Sequence, residues 1–176
     1  YTLAAAVEEG VFYPNATFTT GTYTIGNRVM GDHSGIKRGV AMTYLQAVQR
    51  SSNVGFIKLG YELLGKEKLQ QYFTDFGFAE KTGIDLPNEV GSSLLFDRDV
   101  EVATTSFGQG SVVTPIQQIQ AFTAIANEGE MMKPYVVSKI TDSSGEVVEE
   151  TEPTVAGTPI SADTAKTVRE YLETVI

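Results

Sequence analysis

The chain opens on a run in helical pattern, Tyr1-Thr2-Leu3-Ala4-Ala5-Ala6-Val7-Glu8-Glu9, which Gly10 stops. No Ser, Thr or Asp caps that start and no methionine precedes it, so the chain is expected to be a piece of a longer protein. Residues 10–39 are rich in Gly, Thr and Asn with interspersed aromatics, and read as long loops with short extended pieces. Helices then follow in close order. Thr43 with Gln46 gives a capping box for a helix through about Gln49, and a second helix spans about Asn53 to Leu64, ending at Gly65. A third covers Lys66 to Asp75, where Leu69, Tyr72, Phe73 and Phe76 recur at helical spacing.

Residues 77–97 carry Gly, Pro and Asn punctuation and read as loop with short extended segments. Thr114-Pro115-Ile116-Gln117 joins a cap, a proline at the first helical position and a capping-box Gln, which predicts a helix through about Asn127, stopped by Gly129. Its apolar residues Ile116, Ile119, Ala121, Phe122, Ala124, Ile125 and Ala126 spread round the helix, so burial on most sides is expected. Residues 135–141 and 146–150 are β-prone runs joined by Asp142-Ser143-Ser144-Gly145, a hairpin with a four-residue turn. Ser161 caps a last helix. Its Ala165, Val168, Leu172 and Val175 form one apolar stripe, and it is expected to run to Ile176.

Composition narrows the function. At 176 residues, 41% hydrophobic and 20% charged, the chain has the make-up of one globular domain. A net charge of −9 with scattered basic residues excludes a phosphate-tracking nucleic-acid binder, which needs clustered positive charge. The absence of cysteine removes disulfides, thiolate metal sites and a cysteine nucleophile. The single histidine, His33, cannot build a histidine metal cluster and reads as an ordinary loop residue, so neither metal nor cofactor is expected. No apolar run approaches the roughly 18 to 20 residues that cross a bilayer.

Gln49-Arg50-Ser51-Ser52-Asn53-Val54-Gly55 joins two of the expected helices, where Ser and Asn are ordinary capping residues. Its neighbourhood says more. Residues 3–10 read as a helix continuing from an upstream motif, and residues 49–60 contain Ser51-Ser52-Asn53 as S-x-N. Phe76-Gly77-Phe78 leads to Thr82-Gly83-Ile84-Asp85-Leu86-Pro87, and Ser106-Phe107-Gly108-Gln109-Gly110 leads through Thr114-Pro115 to Ala126-Asn127-Glu128-Gly129. With Lys133-Pro134 and Ile160-Ser161 following in order, nearly the whole chain resembles the transpeptidase domain of class B penicillin-binding proteins. Their catalytic set is S-x-x-K, S-x-N and K-[ST]-G.

That resemblance implies an α+β, mainly α-helical fold: the helical portion of the penicillin-binding protein/serine β-lactamase-like transpeptidase fold, with a β-hairpin. It makes residues 1–176 one partial transpeptidase domain lying between S-x-x-K and K-[ST]-G. Lys81-Thr82-Gly83 spells K-T-G, but in a polar loop rather than on the strand the family uses. No serine has a lysine three residues later at a helix start. Nucleophile and K-[ST]-G are therefore expected outside the chain, and the chain alone is expected to be inactive.

In the family, a serine attacks the D-Ala-D-Ala carbonyl of a peptidoglycan stem peptide and passes the acyl group to an amine of a neighbouring stem. Penicillin stalls the acyl-enzyme. The resemblance assigns catalytic roles to Ser51, whose hydroxyl can relay a proton from the lysine to the leaving nitrogen, and to Asn53, which orients the lysine and grips the substrate amide. Ser52 is expected to cap the helix. Gln109 is a substrate-binding candidate, with a tight Gly108-Gln109-Gly110 turn as the alternative. The relay requires Ser51 to lie near the start of the first helix. Implied partners are stem peptides, β-lactams, the remainder of the transpeptidase domain and cell-wall synthase proteins, at the extracytoplasmic face of the bacterial plasma membrane. Two other readings stay open: a non-catalytic interaction module of a cell-wall synthesis complex, and a penicillin-recognising hydrolase or sensor. The stretch from Phe76 to Pro87 favours the transpeptidase.

Overall fold

Helix starts are where these residues dictate structure most directly. At α2 (Tyr44–Gln49) the Thr43 hydroxyl accepts the Gln46 N–H and the Gln46 side-chain oxygen accepts the Thr43 N–H, both at 3.1 Å. The same reciprocal box, from Thr114 and Gln117, opens α6 (Pro115–Ala126), with Pro115 at a position whose N–H has no helical partner. Ser161 caps α7 (Ala162–Leu172) through the Thr164 N–H at 3.2 Å. The computed structural model describes residues 1–175; Ile176, to which the last helix is expected to run, lies outside them.

The central element is α1 (Thr2–Glu8), buried from Thr2 to Ala6. It packs against α7, against α4 (Lys66–Asp75), and against a π-helical segment, Lys58–Leu64, that continues α3 (Asn53–Ile57). The fully buried Ala4, Ala5 and Ala6 let these helices approach closely. α5 (Asp99–Ser106) closes on the same segment. A Cβ on Gly60 would lie 2.2 Å from Ser106 Oγ and 3.2 Å from Thr2 Cγ2, so this crossing admits only glycine. Thr2 Oγ1 seals it by donating to the Ser106 carbonyl at 2.8 Å.

Strands occur as two-stranded antiparallel ribbons around this helical body. β1 (Thr17–Thr19) pairs with β4 (Ala41–Thr43), and β2 (Thr22–Ile25) with β3 (Arg28–Gly31), which resolves the loop-rich region between residues 10 and 43. β5 (Met131–Met132) pairs with β8 (Val155–Gly157). The expected hairpin is β6 (Lys139–Thr141) with β7 (Val147–Glu150). In its turn the Asp142 Oδ1 accepts from the Ser144 N–H, the Ser144 hydroxyl and the Glu146 N–H at 2.7–3.0 Å, and Gly145 takes φ 87°. The α+β, mainly helical class is the one that the family resemblance implies.

Four elements differ from expectation. The helix α5 is new: Val100, Val102, Thr104 and Thr105 are poor helix formers, and Arg98 offers no acceptor for a cap. Glu101 compensates by accepting the Arg98 N–H at 3.0 Å. The second expected helix widens into π-geometry, closing the Gly65 N–H onto the carbonyl of Gly60, five residues back, at 3.1 Å. α6 is not buried on most sides. Its polar Gln117 and Gln120 are buried, donating to the Glu80 and Thr82 carbonyls of the adjoining loop, while Ile119 and Phe122 are 61% and 51% exposed. In α7 only Ala165 and Val168 of the expected stripe are buried; Leu172 and Val175 are exposed, and Tyr171 packs instead on Phe12 with ring centroids 5.2 Å apart.

α1 and α7 are tied end to end. Glu8 accepts from the Ser161 N–H at 3.0 Å and from its hydroxyl at 2.9 Å, placing a carboxylate at the start of α7. Partial burial raises the Glu8 carboxyl, but hydrogen bonds from Thr164 and Ser161 outweigh it and hold the group below its ordinary 4.5. A carboxyl depressed by folding stabilises the protein above its unfolded value and loses that contribution as pH falls through the folded one. The melting temperature should therefore drop as pH is lowered from 4.5, and Glu8→Gln should flatten that slope. An unchanged slope in Glu8→Gln would remove this assignment.

Candidate active site

α2 stops at Arg50 and α3 starts at Asn53, so the chain must close one helix and open the next within a few residues. The Ser51 N–H reaches back to the Val48 carbonyl at 3.2 Å and the Ser52 N–H to the Ala47 carbonyl at 2.9 Å, the paired closure of a Schellman motif. That closure needs a left-handed residue, usually glycine. Here it is Ser51, at φ 53°. Ser52 immediately becomes the N-cap of α3: its hydroxyl accepts the Gly55 N–H at 3.0 Å and donates to Asp32 Oδ1 at 2.7 Å. Ser52 is completely buried, whereas Ser51 is exposed.

The left-handed step puts Ser51 on the wall of a cavity of about 430 Å³, together with Asn53, Tyr1, Thr2 and Thr105. The first residues of α1 and the S-x-N junction thus share one space, as the relay reading requires. Asn53 Nδ2 donates to the Gly31 carbonyl at 2.8 Å. A carbonyl only accepts, so this contact fixes which way the amide points and leaves Oδ1 and a second N–H for a ligand. The apolar side is aromatic: the Tyr1 ring lies 4.8 Å from that of Phe78 and 5.1 Å from that of Phe76, and its hydroxyl donates to the Gln118 carbonyl at 3.0 Å. Burial pushes the Tyr1 phenol up to about 12, so it is neutral.

Gln109 stands apart. It is exposed, its N–H donates to the Thr104 carbonyl at 2.8 Å, and it bridges Gly108 at φ 85° and Gly110 at φ 102°. The cavity wall there is formed by Gly108 and Ser111, not by the Gln109 side chain. Lys81-Thr82-Gly83 is loop, with the Thr82 hydroxyl and N–H and the Gly83 N–H all held by Glu89 at 2.6–3.0 Å, away from the cavity. Ser34-Gly35-Ile36-Lys37 spells S-x-x-K in a turn, where the two side chains share no helix face.

Sequence reading missed two groups. Thr105 and Ser111 line the cavity with hydroxyl oxygens 3.1 Å apart, and nothing in their spacing announces it. His33 is more than a loop residue: its Nδ1 accepts the Gly35 N–H at 3.1 Å, so Nε2 carries the proton and donates to the Arg50 carbonyl at 2.9 Å, beside Ser51.

The profile of the penicillin binding protein transpeptidase domain matches residues 1–176. The chain belongs to that family. Stage V sporulation protein D of Bacillus subtilis is 47% identical over 139 residues, which cover 76% of this chain and 21% of that protein. The peptidoglycan D,D-transpeptidase FtsI homolog of Nephroselmis olivacea is 31% identical over 168 residues, covering 78% and 24%. The crystal structure of penicillin binding protein 2X from Streptococcus thermophilus superposes with a TM-score of 0.91 at 32% identity, covering 98% of this chain and 26% of that one. The chain thus spans about a quarter of the length of the relatives it matches. Within the transpeptidase family S-x-N is a catalytic motif, and here its first serine stands on the cavity wall.

A non-glycine residue in left-handed backbone costs roughly 1–2 kcal/mol. Ser51→Gly should accordingly be more stable than Ser51→Ala by about 1 kcal/mol in chemical denaturation, glycine's extra unfolded-state entropy offsetting part of the relief. Ser51→Gly falling below Ser51→Ala, as the entropy term alone would give, would mean that the backbone at position 51 is unstrained.

Proposed function

We propose that this transpeptidase-family chain supplies the S-x-N portion of a peptidoglycan D,D-transpeptidase, with Ser51 as the proton relay and Asn53 as the substrate-orienting amide. One observation carries the reading. Of two adjacent serines, Ser52 is wholly committed to the helix cap, while Ser51 is held in left-handed backbone on the wall of the cavity shared with α1. An ordinary cap needs one serine and has no use for the second.

In this reading residues 1–176 are part of one domain, and the S-x-x-K serine and lysine and the K-[ST]-G strand are contributed from outside the chain. The nucleophilic serine gives its proton to the lysine as its oxygen bonds to the D-Ala-D-Ala carbonyl carbon. As the carbon–nitrogen bond breaks, the lysine returns a proton to Ser51 Oγ while Ser51 passes its own to the departing D-alanine nitrogen. A hydroxyl suits this step because it donates and accepts at once and never holds a charge. Asn53, already anchored on the Gly31 carbonyl, has its remaining N–H and Oδ1 for the substrate amide and the lysine. β-Lactams acylate the same serine. The stem peptides and cell-wall synthase partners of such an enzyme place it at the extracytoplasmic face of the plasma membrane; among the described residues no helix is long and apolar enough to cross a membrane.

In the full-length protein, Ser51→Ala should slow acylation by a fluorescent penicillin by about 10²–10⁴-fold, the usual worth of a positioned proton-transfer group. The isolated 176-residue chain should form no adduct. Slowing by less than about threefold would take Ser51 off the proton route, and an adduct on Ser51 itself would reverse its role.

A further inference from the structure

We propose that the β6–β7 hairpin is a docking edge for an extended, basic segment of a partner protein, which adds to β7 as a third strand and lays a lysine or arginine beside Asp85 and Glu149. This surface is independent of the acylation chemistry described above. The base of the ribbon is fixed: Met131 is buried, the Lys133 N–H donates to the Thr154 carbonyl at 2.8 Å, and Asp85 accepts the Val136 and Val137 N–H groups, each at 2.8 Å. Beyond it every residue from 135 to 150 is exposed, and β6 and β7 pack chiefly on each other. No third strand pairs with them among the described residues. Two strands alone are marginally stable in water, yet this pair and its lead-in also show Val136, Val137, Ile140, Val147 and Val148 to solvent, Val148 at 68%. An unpaired edge with that much apolar surface is a template for another chain.

Charge says what kind of chain. Between residues 139 and 152 stand five carboxylates, Asp142, Glu146, Glu149, Glu150 and Glu152, against one cation, Lys139. Asp142 is used by the turn, and the other four form no ion pair among the described residues. A second copy of the chain brings the same carboxylates, so like charges oppose self-pairing and favour a basic partner. A cavity of about 220 Å³ beside the hairpin is lined by Val137 and Ile140, by Asp85 and Glu149, and by Lys139 and Thr151. Hydrogen bonds from the Val137 and Val136 N–H groups hold the Asp85 carboxyl below its ordinary 3.8, so it stays ionised. Lys139 compensates one of the two carboxylates at most, which leaves the other for the partner's cation. An aliphatic stem against the two apolar side chains with a cationic head at the carboxylate describes lysine or arginine. In strand addition the main chain supplies affinity and alternate side chains supply specificity, so the partner alternates such a residue with an apolar one.

The probe is a synthetic peptide of alternating lysine and valine, about eight residues long, titrated by fluorescence anisotropy into the full-length protein, with a glutamate–valine peptide as its counterpart. The lysine peptide should bind and slow hydrogen–deuterium exchange at β7, and the glutamate peptide should not bind. Glu149→Lys/Glu150→Lys should weaken the lysine peptide at least about fivefold more than Glu170→Lys/Glu173→Lys, which makes the same change of charge at the end of α7. All four residues are exposed, so neither pair of substitutions disturbs the core. A smaller ratio makes the attraction one of net charge alone and overturns the proposal. So does a lysine peptide that fails to bind, a glutamate peptide that binds as well, or unchanged exchange at β7. If β7 exchanges as slowly as α1 before any peptide is added, the protein's own chain already covers the edge and the proposal falls.

Discussion

Backbone hydrogen-bonding groups at helix ends have to be satisfied, and between α2 and α3 there is almost no chain in which to do it. The last carbonyls of α2 are met by the N–H groups of Ser51 and Ser52, which is possible only if the chain steps through the left-handed region at Ser51. The first N–H groups of α3 are met by Ser52 and Asp32. The cavity follows from this arithmetic of donors and acceptors. Once both ends are closed, the Ser51 side chain can only stand away from the two helices, and Asn53 begins α3 beside it.

The opposite wall depends on how closely helices can approach. Small residues on α1, glycine at position 60 and the wide π-turn around it bring Thr2 against Ser106, so the beginning of α1 and the end of α5 both reach the space that Ser51 faces. α6 is held from its polar side. Buried Gln117 and Gln120 fasten the loop of residues 80–92, which settles Lys81-Thr82-Gly83 against that helix rather than at the site. Glycine, alanine and glutamine thus shape the surroundings of the cavity.

Local signals were legible in the sequence and distant ones were not. Thr43, Thr114 and Ser161 each announced a helix start because a cap needs only its own next turn. The cap at Ser52 was also legible, since it too needs only its own next turn. α5 was hidden because Val and Thr dominate it and its capping acceptor is a glutamate inside the helix. The inverted polarity of α6 was hidden because an apolar count cannot tell that two glutamines will find carbonyls in a loop nearly 40 residues away. Asp32 and His33 were hidden for the same reason: their partners lie 17 to 22 residues further on, and only the β2–β3 ribbon brings them back.

The left-handed backbone at position 51 also limits what that site can become. Threonine carries the same hydroxyl, yet a β-branched side chain at φ near 53° is a severe steric outlier. Glycine and asparagine fit the backbone but carry no hydroxyl. Of the two small hydroxyl residues only serine suits this backbone, so drift by the chemically mildest exchange is closed off by geometry rather than by chemistry.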